Sequence, residues 1–451
     1  MLSTGFALLG SYVLLAFATH LGSGHYTPLA LVLALSSFAF LAGGLTSAWT
    51  RSRFDRDTPH AAFFAAALLS FLFARPIVAS ADYLQQQVYD LAYREWVVVY
   101  GVLVAAAYLF GPRGWESVRR SVFLVGVAAA FAFRIWLPIA SPAPVIDVFA
   151  VFQDSSRHLL EGKNPYTTPV SDVYQGKAGF DTPRKYCYLP ANLYLLAPAY
   201  AVTGDIRYAY VLAEAAVVAI LWWLARRRWE RSVAELLPLL FLYRPRDLFV
   251  IEQAWGEPLI LLFFALSLLL YERGKRVWAS AAYGYLLSLK LYLLCFLFQW
   301  LFVERNWRRL LLGIVVTAAT VFPFLLVDWK SFVGEGIVWQ LRTGFRSDSL
   351  TIFGFLAPAL GIKPPNLWSV GVGALLALIL ILPLRKMPPL RGYLFATTTT
   401  MFGMFLFGSQ AFCNYYWFVS GMLLFLLAVG GRDGLIAGKE FLSGAADEVA
   451  I

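Results

Sequence analysis

Long apolar runs alternate with short polar clusters along almost the whole chain, and this alternation sets the expected elements. Runs at 4–21 and 27–48 lead to TRSRFDRD, runs at 61–78 and 95–111 lead to GPRGWESVRR, and a fifth run covers 121–140. An apolar run of about 20 residues predicts a membrane-spanning helix, because a rise of ~1.5 Å per residue carries it across a hydrocarbon layer ~30 Å thick. The next stretch, IDVFAVFQDSSRHLLEGKNPY at 146–166, breaks the pattern. Val148, Phe149, Phe152, Leu159 and Leu160 recur at three- and four-residue spacing, whereas Gln153, Asp154, Arg157, His158 and Glu161 fall mostly on the other side. That spacing predicts an amphipathic helix lying flat at the membrane surface and stopped by Gly162 and Pro165.

Beyond the aromatic run YCYLP at 186–190, the segment 189–203 is short and interrupted by Pro190 and Pro198, which predicts a re-entrant or partly inserted element. A span at 206–225 leads to RRRWER. Runs at 233–243 and 257–271 are then joined by RPRDLFVIEQAWGEP, expected outside, and the chain returns at ERGKR. The run 277–303 lies between the basic clusters ERGKR and ERNWRR, so both its ends are expected on one side. It holds residues for two half-length helices with a turn near Lys290, which leaves a lysine at membrane depth. A span at 310–327 precedes a long outer segment, 328–365, containing RTGFRSDSL. Spans at 366–384, 392–409 and 413–430 complete an all-helical bundle of about 14 transmembrane helices.

Composition supports this class. Of 451 residues, 60% are hydrophobic and 14% charged, and a mean hydropathy of +0.66 lies outside the range of soluble domains. The net charge of +10 does not indicate nucleic acid, because Lys and Arg sit in short clusters between apolar runs. Such clusters orient spans. Arg51, Arg53, Arg56, Arg113, Arg119 and Arg120 put the first two basic loops in the cytoplasm, so the span 121–140 emerges outside and delivers Asp147 to the extracytoplasmic face. Cys187, Cys295 and Cys413 are an odd number at no metal-ligand spacing, which indicates neither a disulfide framework nor a metal site. The first apolar run lacks a basic start and a cleavage site and is expected to be retained.

The order of elements carries a resemblance. A span, an outer Asp, a surface helix ending LLEGKNPY, then YCYLP with a Pro-interrupted run, resembles the polyprenyl-phosphate-sugar-dependent glycosyltransferases of the C superfamily (GT-C). It is most similar to the family 87-like mannosyltransferases and also looks like the mannosyltransferase of glycosylphosphatidylinositol assembly. EQAWGEPLILLFFALSLLLYERG, YGYLLSLKLYLLCFLF and QAFCNYYWF resemble three further family elements, and the likeness covers about residues 119–430. It divides the chain into accessory transmembrane helices at 1–118, a GT-C-like catalytic core at 119–430 and a short cytoplasmic tail at 431–451. The chain departs from the family pattern in two places. Asp147 stands four residues before Val151-Phe152 rather than three, which leaves Asp154 as a rival, and the family's GQ reads EQ at Glu252-Gln253.

The resemblance implies transfer of a sugar, mannose in the family, from a polyprenyl-phosphate carrier to an extracytoplasmic glycolipid or glycan, with inversion. The donor already carries a good leaving group, so the chemistry needs a base for the acceptor hydroxyl and cations for the departing phosphate. No DxD pair near Asp147 demands a metal. Asp147 is the candidate base, the alternative being a carboxylate that only caps the surface helix. Lys290 is the phosphate candidate, against a lysine that snorkels to the interface. Arg157, Arg244, Arg246, Arg342 and Arg346 are further cations for the same phosphate, or ordinary surface groups. His158, Tyr186, Tyr188, Glu252, Gln253, Glu257 and Tyr415 are candidates for sugar or acceptor, against belt, cap and solvated positions; Asn414 and Tyr416 stand beside them. Membrane lipids are expected partners. A transporter or flippase, the rival class, also buries charge in a bundle, but the paired repeats common there are not seen.

Overall fold

A computed structural model describes residues 4–51, 82–111, 114–178, 182–300, 303–365, 367–384 and 387–430. The run 61–78, Arg53, Arg56, Arg113 and the tail from Gly431 lie outside the described residues. Every named element within them is a helix, and one isolated bridge pairs His25 with Ser349. The helices are α1 Thr4–His20, α2 Pro28–Arg51, α3 Gln87–Ala105, α4 Glu116–Ala140, α5 Asp147–Leu160, α6 Ala191–Thr203, α7 Arg207–Arg226, α8 Arg231–Leu242 and α9 Asp247–Glu252. They continue with α10 Glu257–Glu272, α11 Arg276–Leu287, α12 Phe296–Trp300, α13 Trp307–Ser331, α14 Trp339–Arg342, α15 Ile352–Leu360, α16 Trp368–Leu384, α17 Pro389–Leu406 and α18 Cys413–Gly430. An all-helical fold is what the bilayer demands of these apolar runs, since a helix satisfies its own backbone where water is absent.

Six helices among the described residues are long and apolar enough to cross a membrane: Pro28–Ala48, Gln87–Tyr108, Glu116–Ala140, Arg207–Arg226, Trp307–Arg342 and Cys413–Gly430. The chain is a multi-pass membrane protein, but the expected count of about 14 spans is not confirmed. Runs counted as spans fold shorter: α8 has 12 residues and α10 has 16. At ~1.5 Å per residue such helices fall short of a ~30 Å layer. The hub is α18, apolar on every side and 94% buried over its span, with α1, α7, α8, α10 and α17 around it. A helix apolar all round belongs inside a bundle. At the other extreme, α13 is only 17% buried and turns Leu311, Ile314, Val315 and Phe322 outward, as a lipid-facing helix does.

Two segments expected outside the spans are themselves folded. The outer segment 328–365 is largely helical: the chain kinks at Asp328 (φ −161, ψ 87), continues through a π-helical stretch, Phe332–Val338, into α14, and later forms α15. Asp328 itself caps the restart, accepting bonds from Ser331 N at 3.1 Å and Ser331 Oγ at 2.6 Å. The segment 244–257, expected as a polar outer connection, is folded into the interior as α9, with Arg244, Asp247, Glu252, Gln253 and Glu257 all buried. The break expected near Lys290 is present. α11 ends at Leu287, Lys290 is extended (φ −144, ψ 146), and a 3-10 turn, Leu291–Cys295, leads into α12.

A fully buried ion network ties the interior together. Arg134 of α4 pairs with Glu214 of α7 at 2.6 Å and with Asp247 of α9, while Arg244 pairs with the same Asp247 at 2.8 Å. Trp417 Nε1 of α18 donates to Asp247 at 2.7 Å, and Arg244 donates to Ser420 Oγ at 2.6 Å. Two cations and two carboxylates cancel within one cluster, which is the condition for keeping charge away from water. The network fixes α4, and with it the point from which α5 starts.

Candidate active site

The α4–α5 junction is locked by a second buried arginine. Arg207 donates to the carbonyl oxygens of Ser141 at 2.8 Å and Pro138 at 3.3 Å, forks onto Asp205, and lies 4.9 Å from the centre of the Phe149 ring. It thereby satisfies the last carbonyls of α4 and holds the first turn of α5. Glu252 closes the junction from the other side, accepting from Ser141 Oγ at 2.7 Å, Asp82 N at 2.6 Å and Tyr83 N at 2.9 Å. Its role here is that of a structural cap.

Asp147 is the first residue of α5. Its Oδ1 accepts from Val148 N at 2.9 Å, the backbone contact available to an acid at a helix start. Burial pushes its carboxyl above the ordinary value of 3.8, and the Val148 bond and the charge of Arg346 only partly draw it back. Burial first, and then the Asp147 charge, push the Tyr174 phenol up to about 12. Asp154 stands two turns on, and both its oxygens are engaged: Arg157 Nη2 at 3.0 Å and Ser171 N at 2.8 Å. It fastens the following loop to the helix. The buried face of α5 is Ala150, Val151, Phe152, Ser155, Ser156 and His158, so His158 lies inside and not on the polar face. Burial lowers its pKa below 6.5.

Phe152 connects α5 to the polar interior. Its ring stacks on Tyr188 at 4.8 Å between centres and an interplanar angle of 13°. Lys290 Nζ also lies over Tyr188, 5.6 Å from the ring centre, with the rings of Tyr415 at 5.5 Å and Tyr292 at 5.8 Å completing an aromatic surround. The ammonium is paired with Glu257 Oε1 at 2.6 Å, and the same oxygen accepts from Asn414 Nδ2 at 2.9 Å. Glu257 opens α10, Lys290 sits in the break after α11, and Asn414 lies in the first turn of α18, so three element ends converge. Both charged centres bear on Tyr188: it feels the charges of Asp147 and Glu257, and Lys290 stands over its ring. The charged groups near Cys187, one residue earlier, include Asp147 and Lys290 as well.

The remaining candidates are dispersed. Arg244 belongs to the buried ion network, wedged between the Trp417 ring at 3.9 Å and the Phe241 ring at 4.3 Å, and not to an outer surface. Arg246 takes a left-handed backbone (φ 62) beside Asp82 at 3.3 Å. Arg342 is exposed at the end of α14, and Arg346 is forked onto Asp348, which also meets His25 Nδ1 at 3.3 Å. Arg157 is exposed and held by Asp154. The Tyr186 hydroxyl donates to the Leu189 carbonyl at 2.9 Å and its ring packs on Tyr166 and Phe152, which makes it a core group. Gln253 is buried with Nε2 unpartnered among the described residues. Tyr416 bonds the Leu350 carbonyl.

Residues 186–412 match the family model of glycosyltransferase family 87. The chain belongs to that family. No curated protein and no solved structure matches it. As a family 87 glycosyltransferase, the chain is a membrane enzyme that acts among lipids and lipid-linked substrates. The transporter alternative gains no support. The matched region contains Tyr188, Glu257 and Lys290 but begins after Asp147 and Asp154 and ends before Tyr415. The match thus covers the polar centre and not the acid. Asn192, close to the same centre, was not singled out in the sequence, where it is one polar residue in the apolar run 189–203.

Proposed function

We propose that the chain transfers a sugar, with mannose the first to test, from a polyprenyl-phosphate carrier to an extracytoplasmic glycolipid or glycan at the cell membrane, inverting the anomeric centre. Asp147 deprotonates the acceptor hydroxyl, and Lys290 meets the phosphate as its charge grows. One observation carries the reading: a half-buried carboxylate with a raised pKa and a buried ammonium both bear on one aromatic ring, Tyr188, on which Phe152 of the acid's own helix stacks. A base with a raised pKa is the stronger base when ionised, and desolvation is a recurrent way of tuning one. Asp147 is preferred to Asp154 because both oxygens of Asp154 already hold donors. Topology supports the outer side, since α4 runs from a basic start at Arg119 and Arg120 toward Asp147.

The test incubates purified protein with a panel of polyprenyl-phosphate sugars and glycolipid acceptors and follows free polyprenyl phosphate. Release by the wild type that is lost in Asp147→Asn and retained in Asp154→Asn supports the assignment. Loss only in Asp154→Asn moves the base by two helical turns. No release from any donor rejects the reaction.

A further inference from the structure

Two acceptor atoms beside the Lys290–Glu257 pair have no hydrogen-bond partner among the described residues, although their side chains are buried. They are Glu257 Oε2 and Asn192 Oδ1, on residues 0% and 1% exposed. Their orientations follow from their other contacts. Glu257 gathers its donors, Lys290 Nζ, Asn414 Nδ2 and, at 3.5 Å, the Tyr292 hydroxyl, on Oε1 alone. The Asn192 amide is oriented by two carbonyls, because Nδ2 donates to Leu289 at 2.8 Å and to Leu189 at 3.3 Å, which sends Oδ1 the other way. That oxygen points at Gly256, where a Cβ would lie 3.4 Å from it and 3.7 Å from the Phe152 ring. The nearby Tyr186 hydroxyl gives its proton to Leu189 O, so it leaves Oδ1 unserved. Asn192 thus lies against Gly256, next in the chain to Glu257, and bonds the carbonyl next to Lys290. Half-buried rings of Tyr188, Tyr292 and Tyr415 surround the ammonium beside them.

A buried acceptor without a donor is costly, and native interiors avoid it. We infer that Asn192 and Glu257 form a hydroxyl-reading subsite, in which Oδ1 and Oε2 accept hydrogen bonds from free hydroxyls of the transferred sugar. This rests on the donor reading above and adds to it a rule of selection. Two acceptors, one of them a carboxylate oxygen, accept a ring position that carries O–H. They reject one that carries hydrogen or O-methyl, and the carboxylate opposes a uronic acid. Asn192 is a specificity residue in this scheme and takes no part in proton transfer.

The experiment uses the full-length protein and a polyprenyl-phosphate hexose that the wild type consumes, with the monodeoxy and mono-O-methyl series of the same sugar. A site built around a substrate hydroxyl rejects its absence strongly, so at least one ring position shows a fall in kcat/KM of about 100-fold or more in the wild type. In Asn192→Leu that discrimination shrinks by about tenfold. The Asp147→Asn variant lowers kcat for every donor alike. A wild type that discriminates at no position beyond about threefold overturns the subsite, as does discrimination unchanged in Asn192→Leu. Asn192→Leu also forfeits the clamp on Leu289. Should it fail to fold, the wild-type series decides: a strong preference for O–H at one ring position upholds the proposal, and its absence overturns it. If no polyprenyl-phosphate sugar is consumed, the donor reading itself has failed, a result distinct from consumption without discrimination.

Discussion

Two aspartates seven positions apart on one helix have unlike surroundings, and that difference sets their expected behaviour. Asp147 keeps one backbone bond and is largely desolvated, whereas Asp154 is tied to Arg157 and to the Ser171 amide. Asp147→Asn is expected to lower kcat by roughly 100- to 10,000-fold, the span of a lost general base. Asp154→Asn is expected to loosen the loop at 171 with a much smaller loss. Because a base must be ionised, and burial holds Asp147 above 3.8, activity should fall as pH drops through that raised value, earlier than an ordinary aspartate would dictate. Arg346 pulls in the other direction. Arg346→Gln should therefore move the acid limb of a kcat/KM profile to higher pH, and a limb moving to lower pH would contradict the assignment. At the buried pair, Glu257→Leu strands Lys290 without a partner and is expected to destabilise by about 3–5 kcal/mol, measured as loss of thermal stability in detergent. These contrasts were only half visible in the residue order. Asp147 and Lys290 stood out because charge at a span's edge or inside it is rare, but Glu257 looked like any helix-start acid until Lys290 was found upon it.

Elements behave as their ends dictate. The break after α11 was legible because basic clusters flank a run too short for two spans, and the structure turns at Lys290 accordingly. α11 also meets α13 backbone to backbone: a Cβ on Gly284 would run into the Gly313 carbonyl oxygen, and Thr317 Oγ1 donates to the Gly284 carbonyl at 2.7 Å. Small residues permit such close crossings where water provides no driving force. Gly284→Val is expected to part the two helices and lower the melting temperature. A smaller effect is expected from Gly334→Ala, since a Cβ there meets nothing within 4 Å. The kink at Asp328 was missed for a comparable reason. The segment DWKSFVGEGIVWQLR contains two glycines and charged groups, which read as an outer loop, yet Asp328 caps a restarted helix. Capping depends on where a side chain can reach, and hydropathy does not register that.

At the scale of the molecule, the site exists because several helix ends are held in one place by buried charge. Arg134, Glu214, Asp247 and Arg244 fasten α4, α7 and α9 to each other and to α18, and Arg207 fastens the α4–α5 corner. Arg134→Met leaves both Glu214 and Asp247 short of a cation and should sharply reduce the yield of folded protein. Adding Glu214→Gln should restore part of it, because the surplus charge is then removed while Arg244 and Asp247 stay paired. The N-terminal helices join this whole: α1 packs along α18, Tyr12 bonds the Leu240 carbonyl at 2.6 Å, and His25 meets Asp348 at 3.3 Å.

Sequence alone determined the solvent and the alphabet of this protein. Apolar runs require helices in lipid, and charges inside such runs mark where the membrane's cost must be met by a partner; both are local properties that a reader can take residue by residue. Tertiary structure decided which charges meet. Arg134 went to Glu214 and Lys290 to Glu257, while Asn192 turned its oxygen toward Gly256, and none of these pairings follows from spacing along the chain. The physical reason is that a buried ion takes whichever opposite charge the packed helices bring within hydrogen-bond reach, and helix packing is set by side-chain shape across the whole bundle.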